Sequence, residues 1–141
     1  MTFALIIRTG PEIKAEDLAA ARSAALAQIP VILVAAAKAI TGNVPVSEQV
    51  SWPVKALAAQ TYLAGTATYD QLAQLQDEAD LTGETIADLA AAIDARATAY
   101  ARAAAKLSGL RRASENAITS AKSIGEMESA MAALNGAIAG L

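Results

Sequence analysis

The amino-acid sequence predicts an all-α protein, and three observations support this class. Alanine, the residue with the highest intrinsic helix propensity, supplies 38 of 141 positions, about half of the 55% hydrophobic content. Aromatic residues make up only 4% of the chain, so the large side chains that fill most globular cores are scarce. Apolar residues also recur at alternating spacings of three and four, the period of a helix face. We therefore expect an Ala-rich helical bundle or helical hairpin with a short extended N-terminal arm and a C-terminal amphipathic, coiled-coil-like helix.

The N-terminal region predicts an extended arm followed by a helix. Thr2–Arg8 is rich in β-branched and aromatic residues and is ended by Gly10-Pro11, which favours a short strand that pairs with another chain or another segment. A helix is expected from about Lys14 to about Gln28. Proline removes an intrahelical hydrogen bond and clashes with the preceding turn, so this helix should bend or break near Pro30.

The second half of this region is strongly apolar. Leu18–Ala37 has the length of a transmembrane helix but contains Arg22 and Pro30 and many alanines, so we expect a buried or partner-facing helix rather than a membrane span. A second helical piece should end at Gly42. The densest apolar patch, which we predict to be a contact surface, comprises Ile29, Val31, Ile32, Leu33 and Val34.

Residues 42–51 read as a linker, because Gly, Asn, Pro and Ser cluster there. Ser51 can then cap a helix whose first turn holds Trp52 and Pro53 and which stops at Gly65. Trp52 is the one indole in the chain. It is either an anchor for a partner, as Trp often is at binding hot spots, or a staple that fixes the helix entry to the bundle.

Capping signals predict the next two helices. Thr68 and Gln71 match a capping box for a short helix to about Ala79, and Thr85 with Asp88 opens the longest helix. That helix has a seam of small and apolar residues with four-three spacing. A bend or a change of packing partner is expected near Gly109, before the helix ends at about Lys122.

Ser123 and Glu126 match a further capping box, which opens the C-terminal helix. Its seam has the same four-three spacing and is predicted to contact a partner, although ordinary core packing of its methionines is an equal alternative. The seam residues are Ile124, Met127, Met131, Leu134 and Ile138.

The amino-acid composition excludes several kinds of catalytic and metal-binding site. The chain has no His and no Cys, which excludes Ser-His-Asp and Cys-His sites, disulfides and ordinary zinc or haem sites. A net charge of -3 and a pI near 4.9 argue against nucleic-acid binding. Acidic residues between Asp77 and Asp88 do not match a calcium loop and are expected to be solvated acids at helix ends. We predict no catalytic residue, no cofactor and no metal.

Three segments resemble small proteins encoded among the tail genes of bacteriophages and prophages, often described as tail-fibre assembly or tail proteins. The segments are SWPVKALAAQTYLAG at Ser51–Gly65, LTGETIADLAAAI at Leu81–Ile93 and AYARAAAKLSGLRRASENAI at Ala99–Ile118. Together they span about half of the chain, from Ser51 to Ile118.

The resemblance implies a non-enzymatic tail structural protein or tail-fibre assembly protein. It would be a homo-oligomer in contact with other virion proteins, located in the virion or in the host cytoplasm during assembly. The alternative is a helical regulatory or adaptor module, unrelated to virions, that binds a partner helix. The predicted division is an arm and apolar helix (1–41), a linker (42–51), a tail-like helical domain (52–122) and the C-terminal helix (123–141).

Overall fold

The computed structural model describes residues 9–141, apart from the side chain of Ile13, and in this part of the chain all regular structure is helical. The all-α class is therefore confirmed, while the predicted arm Thr2–Arg8 lies outside the described residues. The helices are α1 (Gly10–Thr41), α2 (Val46–Leu63), α3 (Tyr69–Thr82), α4 (Ile86–Ser120) and α5 (Ile124–Ala139).

Helix α1 begins with a reciprocal cap between Thr9 and Glu12. The Glu12 carboxylate accepts hydrogen bonds from the backbone N–H and the hydroxyl of Thr9, both at 2.7 Å, and the Glu12 amide donates to the Thr9 hydroxyl oxygen at 3.4 Å. The bond from the Thr9 backbone, aided by the bond from its hydroxyl, lowers the pKa of Glu12 from its ordinary value of 4.5. The helix therefore starts four residues earlier than the sequence predicts.

The predicted break at Pro30 is wrong, because α1 continues through this residue to Thr41. Pro30 itself is exposed, whereas Ile29 is fully buried and Leu33 is only 9% exposed. Core packing on both sides of the proline therefore holds the helix together despite the lost hydrogen bond. The end of α1 is as predicted: Gly42 adopts a φ of 70°, and its N–H donates to the carbonyl of Lys38 at 2.9 Å.

Helix α2 begins inside the segment predicted as a linker. Pro45 precedes its first residue, and the Pro45 carbonyl accepts from the amides of Glu48 and Gln49 at 2.9 and 3.1 Å. Pro53 therefore lies within the helix, not in its first turn. Ser51 does not cap, since its hydroxyl donates to the Glu48 carbonyl at 2.7 Å. Only residues 42–45 connect α1 to α2.

The other predicted caps are present. Thr68 and Gln71 form a complete capping box at the start of α3, while Thr85 and Ser123 accept backbone hydrogen bonds at the starts of α4 and α5. Gly83 ends α3 with a φ of 76°. These signals are local, so they can be identified from sequence.

The chain forms two compact units, each of which takes part of α1 and part of α4. Among the described residues, the terminal unit comprises 9–37 and 106–141, and the central unit comprises 38–105. These boundaries differ from the predicted four-part division, because both long helices pass from one unit to the other. The predicted change of packing partner near Gly109 lies close to the boundary within α4, which continues helical to Ser120.

The core of the terminal unit joins α1, the end of α4 and α5. Its buried residues are Ile29, Leu33, Ile118, Ala121, Met127 and Leu134. Arg22 ties α1 to the end of α4: its Nε donates to the Ile118 carbonyl at 3.3 Å, and its Nη2 donates to the Ala121 carbonyl at 2.7 Å.

The core of the central unit joins α2, α3 and the first part of α4, and four of its six buried residues are alanine. The six buried residues are Ala58, Ala59, Leu75, Ala79, Leu89 and Ala90. Small side chains at these positions allow the helix backbones to approach closely.

Candidate protein-binding faces

One side of α2 is an exposed apolar surface. It comprises Val46, Val50, Pro53, Val54 and Leu57, which we call the α2 stripe. With 3.6 residues per turn, these positions fall within an arc of about 100° on the helix. The exposed fractions of Val46, Val50, Val54 and Leu57 are 74%, 72%, 58% and 54%. A contiguous set of exposed aliphatic side chains of this kind is a candidate interaction surface.

The opposite side of α2 is fixed within the central unit. Ala58 and Ala59 are fully buried against α3 and α4. The Lys55 ammonium contacts the Glu78 carboxylate of α3 at 2.7 Å. At the edge of the α2 stripe, next to Pro53 on the helix surface, Gln60 donates to Asp94 of α4 at 3.1 Å. Because these contacts hold one side of the helix, the α2 stripe is oriented away from the core of its own unit.

Trp52 lies on the fixed side of α2. Its indole is half-buried and meets the Tyr100 ring of α4 edge to face, with centroids 5.6 Å apart and planes at 81°. This contact connects α2 to α4 within the central unit. Trp52 is the seventh residue of α2 and not part of its first turn, so the contact does not lie at the helix entry where the sequence suggests a staple.

The apolar patch predicted around Pro30 is divided between core and surface. Ile29 and Leu33 are buried in the terminal unit, and Ile32 is half-buried against the same core. Val31 and Val34 point outward, with 68% and 69% of their surface exposed. Only these two valines of the predicted contact patch are exposed large hydrophobic residues, since helix periodicity turns the other three toward the core.

The predicted seam of α5 packs mainly inside the chain. Met127 and Leu134 are buried in the terminal unit, and Met131 and Ile138 are half-buried beside them. Ile124 keeps 46% of its surface exposed. The four-three spacing therefore identifies a real helix face, but α1 and α4 already cover most of it.

The sequence reasoning missed the α2 stripe. Its signal is present as the four-three-four spacing of Val46, Val50, Pro53 and Leu57. The Gly, Pro and Ser residues around this segment favoured a linker instead, which concealed the helical period. Helix α2 begins after Pro45 and not at Pro53. Residues 46–57 are therefore all helical, and the four-three spacing places their apolar side chains on one face.

The acidic residues between α2 and α4 serve structural contacts. Glu78 pairs with Lys55, Asp80 accepts from Gln76, Glu84 accepts from Thr82, and Asp88 accepts from Thr85. Within residues 9–141, no group of three or more acidic side chains is placed to hold a metal ion. Arg111 contacts Glu115 one turn further along α4 at 3.5 Å.

Helix α1 is long and apolar enough to cross a membrane by length and composition, with a mean hydropathy of 1.8 over an 18-residue window. Only 11% of that window is buried. The buried part nevertheless includes Ile29 and Leu33, which pack in the core of the terminal unit, and Arg22 of the same helix binds carbonyls of α4 and of the α4–α5 turn.

Comparison of the whole chain with models of protein families, with curated proteins and with solved structures finds no match.

Proposed function

We propose that this chain is a non-enzymatic structural or assembly protein of a bacteriophage tail or a phage-like tail, of prophage or gene-transfer-agent type. It acts through helix-mediated contacts with other tail proteins and with further copies of itself, either as a subunit that stays in the virion or as an assembly factor in the host cytoplasm.

The α2 stripe is the observation that carries this proposal. Val46 and Val50 each expose more than 70% of their surface, while the opposite side of the same helix is packed and ion-paired. A helix presented in this way recognises a partner helix or groove through residues spaced by three and four positions. The exposed Val31 and Val34 supply a second, smaller apolar surface in the terminal unit.

Three further points support the details. The tail context rests on the resemblance of residues 51–118, a segment that includes the second half of the α2 stripe. The non-enzymatic role is supported by the absence of His and Cys from the sequence and by the use of Glu78 and Asp88 in structural contacts. The role of Ile29 and Arg22 in holding α1 to its own unit favours protein over lipid as the partner.

The proposal is tested in cells that produce tails encoded near the gene for this chain. The chain is tagged, particles are separated on a density gradient, and the chain is measured in fractions that contain tails and in fractions that contain tail intermediates. We expect it in one of these two pools. Val50→Glu places a charge in the α2 stripe and should remove the chain from that pool, because a buried unpaired charge opposes association.

Gln74→Glu is the matched control, since Gln74 is exposed on α3 and the substitution adds the same charge outside the α2 stripe. The control should behave like the unaltered chain. If the unaltered chain is absent from both pools and its loss leaves tail assembly intact, the proposal is wrong and the adaptor alternative takes its place.

A further inference from the structure

The α2 stripe is uncharged across its whole arc. The two charged residues of α2, Glu48 and Lys55, lie on the other side of the helix, about half a turn away. The chain as a whole has a net charge of -3, so the average electrostatic interaction between two copies is weakly repulsive. Contact through the α2 stripe avoids this repulsion, because each copy presents only aliphatic side chains.

The spacing within the α2 stripe is the same in both directions. Val46, Val50, Pro53 and Leu57 are separated by four, three and four residues. If two such helices pack antiparallel about a twofold axis near residues 51 and 52, Val46 lies opposite Leu57 of the second copy, and Val50 lies opposite Pro53. Four of the five apolar positions then meet another apolar position, as a contact between identical surfaces requires, and Val54 lies opposite the uncharged Gln49 of the second copy.

We propose that the α2 stripe binds the α2 stripe of a second copy of this chain, with the two helices antiparallel. The surface is about 17 Å long, or 11 steps of 1.5 Å, and one helix wide. This is well below the area of about 800 Å² per partner that is typical of stable complexes, so the dimer is weak and exchanges with monomer. The inference rests on the proposed role of the α2 stripe in protein binding, and it identifies the partner.

Cross-linking tests the orientation directly, because the chain contains no cysteine and each introduced thiol is unique. Val46→Cys and Leu57→Cys are purified separately and then oxidised alone or as an equal mixture. In the antiparallel pair, residue 46 lies close to residue 57 of the other copy but far from residue 46, and a disulfide requires close Cα atoms. We expect the mixed disulfide in the mixture and little dimer from either variant alone.

Glu48→Cys is the matched control, because residue 48 is exposed on the same helix but outside the α2 stripe. It should give only the low yield of random collisions, alone or with Leu57→Cys. Rapid disulfide formation by Val46→Cys alone would show a parallel pair and overturn the proposal. Equal yields in the control and the test mixture would also overturn it.

Sedimentation velocity of the purified, unmodified chain supplies the second measurement. The sedimentation coefficient should rise reversibly with concentration across the micromolar range. Val50→Glu should weaken association about tenfold or more through like-charge repulsion, whereas Gln74→Glu should associate like the unaltered chain. Circular dichroism checks that both variants keep their helix content. Val50→Ser adds no charge but removes apolar surface, so it should also weaken association.

These results separate the inference from the proposed function. One possible result is that the chain stays monomeric at every concentration, is found with tails, and loses that location in the Val50→Glu variant. This result would overturn self-pairing and would assign the α2 stripe to contact with a different tail protein. A chain that forms the antiparallel dimer but never enters the tail pools supports self-pairing and overturns the tail function.

Discussion

At the scale of single residues, Arg22 makes the polar contact that joins two parts of the terminal unit. The last carbonyls of any α-helix lack intrahelical partners, and Arg22 binds the carbonyl of Ile118 in the last turn of α4 and that of Ala121 in the turn that follows. Its positive charge also complements the negative end of the helix dipole. A single side chain of α1 thus satisfies backbone groups 96 and 99 residues away in sequence.

Arg22→Met should lower the free energy of unfolding by about 1.5–3 kcal/mol, the contribution of hydrogen bonds from a charged donor. Methionine keeps much of the aliphatic stem, so the loss reflects the guanidinium. Urea denaturation followed by circular dichroism measures the effect as a lower midpoint. Arg102→Met, at an exposed position of α4, should change stability by no more than about 0.5 kcal/mol. Equal effects of the two substitutions would contradict the role assigned to Arg22.

At the scale of helices, the abundance of alanine has a definite structural use. Ala58 and Ala59 of α2 and Ala90 of α4 are all fully buried in the core of the central unit. Each contributes little hydrophobic free energy, on the order of one methyl group or about 0.8 kcal/mol. What these residues supply is space for close contact between helices.

This explanation predicts that leucine substitutions at two neighbouring alanines of α4 change the free energy of unfolding by different amounts. Ala90→Leu should lower the free energy of unfolding by about 1–3 kcal/mol, because three extra carbons do not fit between closely packed helices. Ala91→Leu adds the same atoms at an exposed position and should be nearly neutral. Thermal or urea denaturation of the two variants side by side provides the measurement. A stabilising effect of Ala90→Leu would show that unfilled space remains between the helices at Ala90, and it would contradict this explanation.

The helices also show how far the sequence determines the fold. The caps at Thr68, Thr85 and Ser123 were predicted because each depends on residues three positions apart. The continuity of α1 at Pro30 was not predicted, because it depends on contacts with distant parts of the chain, and Pro53 was misplaced because Pro45 is a second, competing start signal nearby. Burial of Ile29 and Leu33 keeps α1 continuous, and an earlier start at Pro45 places Pro53 inside α2.

The binding surface was predicted less well than the helices for the same reason. A four-three pattern identifies an apolar helix face but does not tell whether the chain covers that face itself. Met127 and Leu134 follow the pattern and are buried, whereas Val50 follows it and is exposed. The difference arises from which helices pack together, and that information is not local.

At the scale of the whole molecule, residues 9–141 form two hydrophobic cores that have no residue in common. Ile118 is fully buried in the terminal unit, and Leu75 is 1% exposed in the central unit. The long helices α1 and α4 contribute residues to both units.

Substitutions in the two cores should therefore be additive. Ile118→Val should cost about 0.5–1.5 kcal/mol and Leu75→Ala about 2–5 kcal/mol, through lost burial and the cavities left behind. The double variant should match their sum within about 0.5 kcal/mol, as expected for sites with no shared partners. Urea denaturation of the single and double variants completes this cycle. A coupling energy above about 1 kcal/mol would mean that the cores respond to each other.

The edge-to-face pair of Trp52 and Tyr100 has a spectroscopic consequence. Trp52 is the single tryptophan of the chain, and it is half-buried within the central unit. Its fluorescence emission therefore senses the solvation of that unit alone, while far-ultraviolet circular dichroism sums over all helices. The unlabelled protein thus carries an intrinsic optical reporter that separates melting of the central unit from melting of the remainder.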